Sequence, residues 1–138
     1  MCGGHIHIGA DYLTKPESWK NLTEIWGNAE NIMYAISNKS GDKPRYGVPQ
    51  FARPISSNFE EILNKGTIDL KSEEDLKKFL KDAQKDKDGK IDRYYGINFA
   101  NVGEDKNTIE FRLPNGTIDA KTWIENINLF GGIISVIF

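Results

Sequence analysis

The chain reads as an α+β fold, and three observations carry that reading. The apolar residues between Pro16 and Ser37 recur at helical spacing. Two other segments, Gly4-His5-Ile6-His7-Ile8-Gly9 and Thr108-Ile109-Glu110-Phe111-Arg112-Leu113, instead alternate polar with apolar residues, as strands do. Turn signals then divide the remainder into the order strand, helix, helices, hairpin, helix. That order predicts a small antiparallel sheet, with strands near 3–10, 93–101 and 107–113, and helices packed on one face.

Each element has a local reason. On a strand, residues two apart share a face, so His5 and His7 point one way and Ile6 the other. The first helix is expected from Pro16, which suits a first turn, to about Ser37. Glu17 complements its N-terminus and Gly41 lies past its end. Trp19, Leu22, Ile25, Trp26, Ala29, Ile32, Met33 and Ile36 form its apolar stripe. Residues 38–55 read as loop, punctuated by Pro44, Gly47, Pro49 and Pro54, and they carry Arg45 and Arg53. A short helix follows over Asn58–Asn64, stopped by Gly66. Ser72-Glu73-Glu74-Asp75 starts the next one, which runs to about Lys85. Gly103–Asn107 is the polar loop of a hairpin, Asn115-Gly116 a turn, and a last helix starts at Asp119 or Ala120.

Composition narrows the function classes. With 38% hydrophobic and 11% aromatic residues, the 138-residue chain reads as one globular domain, residues 1–138. A net charge of -2 leaves no basic footprint for nucleic acid. Cys2 is the only cysteine, which excludes a disulfide framework and a thiolate zinc cluster. The N-terminus lacks the features of a signal peptide, and the apolar run from Gly131 to Phe138 is too short to span a bilayer. A cytoplasmic protein with no membrane association is the expectation. Both ends look cut, so the domain is expected to be incomplete.

The chemistry concentrates in the two alternating segments. His5 and His7 are the only histidines. Neutral imidazole binds transition metals, and its protonated form hydrogen-bonds phosphate. The flanking Gly3, Gly4, Gly9 and Ala10 let a ligand or another backbone approach. No further histidine exists to complete a barrel metallohydrolase or cupin-like site, so any metal held here needs carboxylates and is better matched by Mg²⁺ or Mn²⁺ than by zinc. Glu110 supplies the carboxylate. Arg112, on the same strand face, supplies a guanidinium that can grip phosphate or a substrate carboxylate with two bonds. Metal, phosphate grip and arginine are the components of phosphoryl transfer. Asp86-Lys87-Asp88-Gly89-Lys90-Ile91-Asp92 imitates the middle of a calcium loop. Gln84 and Tyr95 stand where its terminal acids belong, so a solvated turn is expected there.

Taken together, Cys2 to Gly9, the arginine-bearing loop, Tyr95-Gly96-Ile97-Asn98 and Thr108 to Asp119 resemble the amidoligase family of the carboxylate–amine ligase superfamily, with glutamine synthetase and glutamate–cysteine ligase. The resemblance implies a partial glutamine-synthetase-like catalytic domain that joins a small-molecule or peptide carboxylate to an amine. ATP and Mg²⁺ or Mn²⁺ would be its cofactors, and an acyl phosphate its intermediate. By motif, His5 and Glu110 look like metal ligands and His7 like a contact to nucleotide phosphate. Arg112 looks like the catalytic group that neutralises the transferring phosphoryl, Glu110 its catalytic companion, and Arg45 a looser match to a loop arginine at the cofactor. The superfamily's upstream Glu-x-Glu strand has no counterpart in this sequence. An upstream half or a second copy is therefore an expected partner, and a catalytically inactive remnant that only binds metal or ligand is the alternative.

Overall fold

The computed structural model describes residues 3–37, 39–40, 43–44, 48–65 and 71–137. In chain order these form β1 (Ile6–Gly9), α1 (Pro16–Ser37), β2 (Lys39–Ser40), β3 (Lys43–Pro44), α2 (Val48–Phe51), α3 (Ser56–Asn64), α4 (Glu73–Asp82), β4 (Ile97–Asn98), β5 (Thr108–Phe111) and α5 (Ala120–Ile137). The α+β reading holds. β1, β5 and β4 make a three-stranded antiparallel sheet in that spatial order, and β2 pairs with β3 in a separate two-stranded one. The expected loop 38–55 thus contains a short ladder and a single helical turn.

Local chemistry sets the helix ends. Ser72 caps α4 by accepting from the Asp75 N–H at 3.0 Å, with Glu73, Glu74 and Asp75 in the first turn. Asp119 does the same for α5, accepting from the Thr122 N–H at 2.9 Å. α3 has no capping side chain of its own. Its first N–H groups are satisfied from α1: Glu30 accepts from Ile55 N at 2.8 Å and Ser56 N at 3.0 Å. Glu30 also receives the Trp26 indole N–H at 2.8 Å and the Ser56 hydroxyl at 2.5 Å, which makes a buried carboxylate tolerable. This shifts the buried stripe of α1. It runs through Trp19, Leu22, Trp26, Glu30, Met33 and Ser37, while Ile32 and Ile36, expected inside, are exposed.

The core lies between the helices and one face of the sheet. Ile6 and Ile97 flank Phe111 on neighbouring strands, and all three are buried. Phe111 stacks on Phe130 of α5 with centroids 4.6 Å apart, and lies 5.5 Å from Trp26 of α1. A second aromatic group, Phe59, Phe79 and Phe99, ties α3 and α4 to the chain after β4.

The strands are shorter than the alternation predicts, because their flanks pair elsewhere. Residues 94–96 run alongside Arg53, with Arg53 N donating to Tyr94 O at 2.7 Å and Gly96 N to Arg53 O at 2.8 Å. The Asp86–Asp92 segment is a turn closed on itself: Asp86 Oδ1 accepts from Asp88 N and Lys90 N, and Gly89 takes a positive φ of 76°. No helix among the described residues is long and apolar enough to cross a membrane. Cys2, Arg45 and Gly66 lie outside the described residues.

Candidate active site on the open sheet face

β5 is the central strand, so whatever it presents away from the core is flanked on both sides. Glu110 faces His7 on β1 and Asn98 on β4 in the register of the ladders. Alternation puts these three on the face opposite Ile6, Phe111 and Ile97. His5, two residues before His7, and Arg112, two after Glu110, reach the same carboxylate.

The geometry centres on the two oxygens of Glu110. Oε1 lies 3.0 Å from His5 Nδ1, 3.2 Å from Arg112 Nη1 and 3.6 Å from His7 Nε2. The last distance is too long for a hydrogen bond, and the nearer partner of His7 is Thr108, with Nδ1 3.2 Å from its hydroxyl. Oε2 accepts from Asn98 Nδ2 at 2.6 Å. The Glu110 side chain is 7% exposed and Arg112 14%, while His5 and His7 are 42% and 43% exposed. A carboxylate and a guanidinium therefore form the floor, and the imidazoles stand at the solvent edge. The Arg–Glu contact is charge-assisted and shielded from water, the setting in which such a bond is strongest.

Neighbouring elements fix these groups. Gly4 lies against the Trp123 ring of α5, and a Cβ there would come within 2.5 Å of Trp123 Cη2 and 3.1 Å of Asn115 O, so only glycine brings β1 this close. Arg112 Nε donates to Phe51 O at 3.3 Å, and its guanidinium sits 5.5 Å from the centroid of Tyr94, whose ring meets Phe51 edge-on. Arg53, which the sequence leaves free to reach an anion, is ion-paired with Asp92 and stacked over Tyr95. The strap holding it is pinned by Tyr34, whose hydroxyl donates to Ala52 O. Burial pushes the Tyr34 phenol up, and the Glu30 carboxylate adds to this, so it remains a donor at neutral pH.

Of the residues expected in a site, His5, His7, Glu110 and Arg112 come together, and Arg45 lies outside the described residues. Asn98, which the sequence motif includes without a role, is the second hydrogen-bond partner of Glu110. Its signal was an amide between two apolar residues at strand spacing. Among the described residues, no group of three or more His, Cys, Asp or Glu side chains is arranged to hold a metal ion. The donors His5 and Glu110 suit Mg²⁺ or Mn²⁺ in kind, provided that water and phosphate oxygens complete the coordination. Cavities lined by Ile36 and Asn126, and by Tyr12 and Ser18, share no residue with this cluster.

Comparison with known proteins extends the picture. A family model described as "putative amidoligase enzyme" matches residues 1–134. No curated protein and no solved structure matches the chain.

Proposed function

The chain belongs to the amidoligase family, a family of ligase type, and we propose that it serves ATP-dependent formation of an amide or peptide bond. The observation that supports this reading is the convergence of His5, His7 and Arg112 on the Glu110 carboxylate of an open sheet face. In the proposed reaction a carboxylate oxygen of the substrate takes the γ-phosphoryl group of ATP, and ADP leaves. The amine nitrogen of the second substrate then attacks the acyl carbon, phosphate departs, and the amine loses a proton. A divalent ion held by His5 and Glu110 would neutralise charge on the phosphates. His7, at the exposed rim, would hydrogen-bond a phosphate oxygen. Arg112 already stands with its plane fixed by Glu110, Phe51 and Tyr94, so its fork would meet the phosphoryl oxygens without reorganising. Carboxylate and amine substrates of small-molecule or peptide size are the proposed partners.

A second reading is a domain that binds metal or ligand without catalysis, because the sequence carries no Glu-x-Glu strand dyad to add carboxylates beside His5 and Glu110. Calorimetric titration with Mn²⁺–ATP decides whether a nucleotide site is assembled. Saturable binding that His5→Ala abolishes, and that Arg112→Lys weakens while the chain stays folded, is expected for the ligase. A folded chain that binds no Mn²⁺–ATP overturns it. Binding with no ADP release in the presence of any carboxylate–amine pair supports the second reading.

A further inference from the structure

Behind Glu110 runs a chain of buried amides. Gln84, two residues past the end of α4, is fully buried, and Asn98 is 2% exposed. The Phe99 main-chain N–H donates to Gln84 Oε1 at 2.6 Å. Gln84 Nε2 donates to Asn98 Oδ1 at 2.9 Å and to Asp92 O at 3.2 Å. Asn98 Oδ1 also receives the Ala100 N–H at 3.0 Å, and Asn98 Nδ2 donates to Glu110 Oε2 at 2.6 Å.

The direction of this chain is dictated by the backbone. A main-chain N–H can only donate, so Phe99 requires an oxygen from Gln84, which turns the Gln84 NH₂ group toward Asn98. Ala100 and Gln84 together then require an oxygen from Asn98, which turns the Asn98 NH₂ group toward Glu110. Oε2 is left as an obligate acceptor, and Oε1 is aimed at His5, His7 and Arg112. We propose that Gln84 and Asn98 are positioning residues, an amide relay polarised by the main chain of Phe99 and Ala100 that fixes the rotation of the Glu110 carboxylate. Their use in catalysis rests on the ligase reading above, whereas the relay itself rests on hydrogen-bond geometry alone.

The test is NMR of side-chain N–H groups in the intact chain without ligand. In the unmodified protein the Asn98 NH₂ protons are expected to exchange with solvent at least roughly a hundredfold more slowly than those of the exposed Asn21. Exchange at the rate of Asn21 overturns the relay without any variant. Gln84→Met keeps the volume but removes the acceptor for the Phe99 N–H and the donor to Asn98 Oδ1, so the Asn98 amide should lose part of what fixes it. The Arg112 Nε–H and the His5 and His7 ring signals should then move, although Gln84 touches none of them. Leu76→Ala, a core truncation in α4 itself, should leave those signals in place at a comparable loss of stability. If both variants displace them equally, Gln84 only fills space and the proposal fails. Failure of Mn²⁺–ATP to bind, with the relay signals as expected, removes the ligase reading and leaves the relay standing.

Discussion

Phe111 and Glu110 are neighbours on β5, and both are nearly inaccessible, yet they are buried by opposite means. Phe111 lies between Ile6 and Ile97, with the rings of Phe130 and Trp26 over it. Nothing there depends on direction; what counts is volume filled and surface removed from water. Glu110 lies between His7 and Asn98, and every contact that makes its burial tolerable is a donor at a fixed position. One face of the strand stores stability. The other holds a charge in a set orientation.

The comparison breaks most readily at Phe111. Phe111→Ala should cost about 3–5 kcal/mol through lost transfer energy and a cavity that the stacked rings cannot collapse into, read from urea unfolding. Glu110→Gln is the matching change on the open face. It keeps the volume and an acceptor for Asn98, so its cost should stay below about 2 kcal/mol, while Mn²⁺–ATP affinity by calorimetry falls at least about tenfold. Equal stability losses from the two substitutions would refute the division of labour. Ser72→Ala, remote from both faces, provides a local yardstick: loss of the α4 cap should cost about 1 kcal/mol and leave ligand binding unchanged.

The smallest effect is electrostatic. Burial tends to raise the Asp82 carboxyl, but hydrogen bonds and charge from Lys78 and Lys85 outweigh it and hold the group below its usual range. A depressed carboxyl adds stability above its unfolded value of about 4, and that part is lost as pH falls through the folded value. Asp82→Asn should therefore flatten the fall in melting temperature below about pH 4 and lower the melting temperature slightly at neutral pH. A parallel shift at every pH would contradict this.

Much of this was legible in the sequence, and the exceptions share a cause. The starts of α1 and α4 follow from signals at the ends themselves, at Pro16 and Ser72. The His5–His7 and Glu110–Arg112 dyads could be placed on one face because strand alternation is local. What stayed hidden were contacts between distant residues. Nothing local to Glu30 foretells that Ile55 and Ser56 bring it their N–H groups, and Ile32 and Ile36 turn outward as the stripe rotates toward it. Gln84 stood out only as the wrong residue for a calcium loop. Its role depends on Asn98 and Phe99, which lie on the far side of that turn.

The strap at Ala52–Ser56 has a consequence for how the sheet can grow. On the β4 side, Arg53 closes the ladder against Tyr94 and Gly96, and Tyr34 and Glu30 bolt that segment to α1. On the other side, among the described residues, β1 hydrogen-bonds to β5 alone. Extension of this sheet is therefore one-directional: a further strand, from whatever source, would have to dock along β1. Its side chains on the open face would stand next to His5 and His7, so whichever strand docks there helps decide which donors surround Glu110.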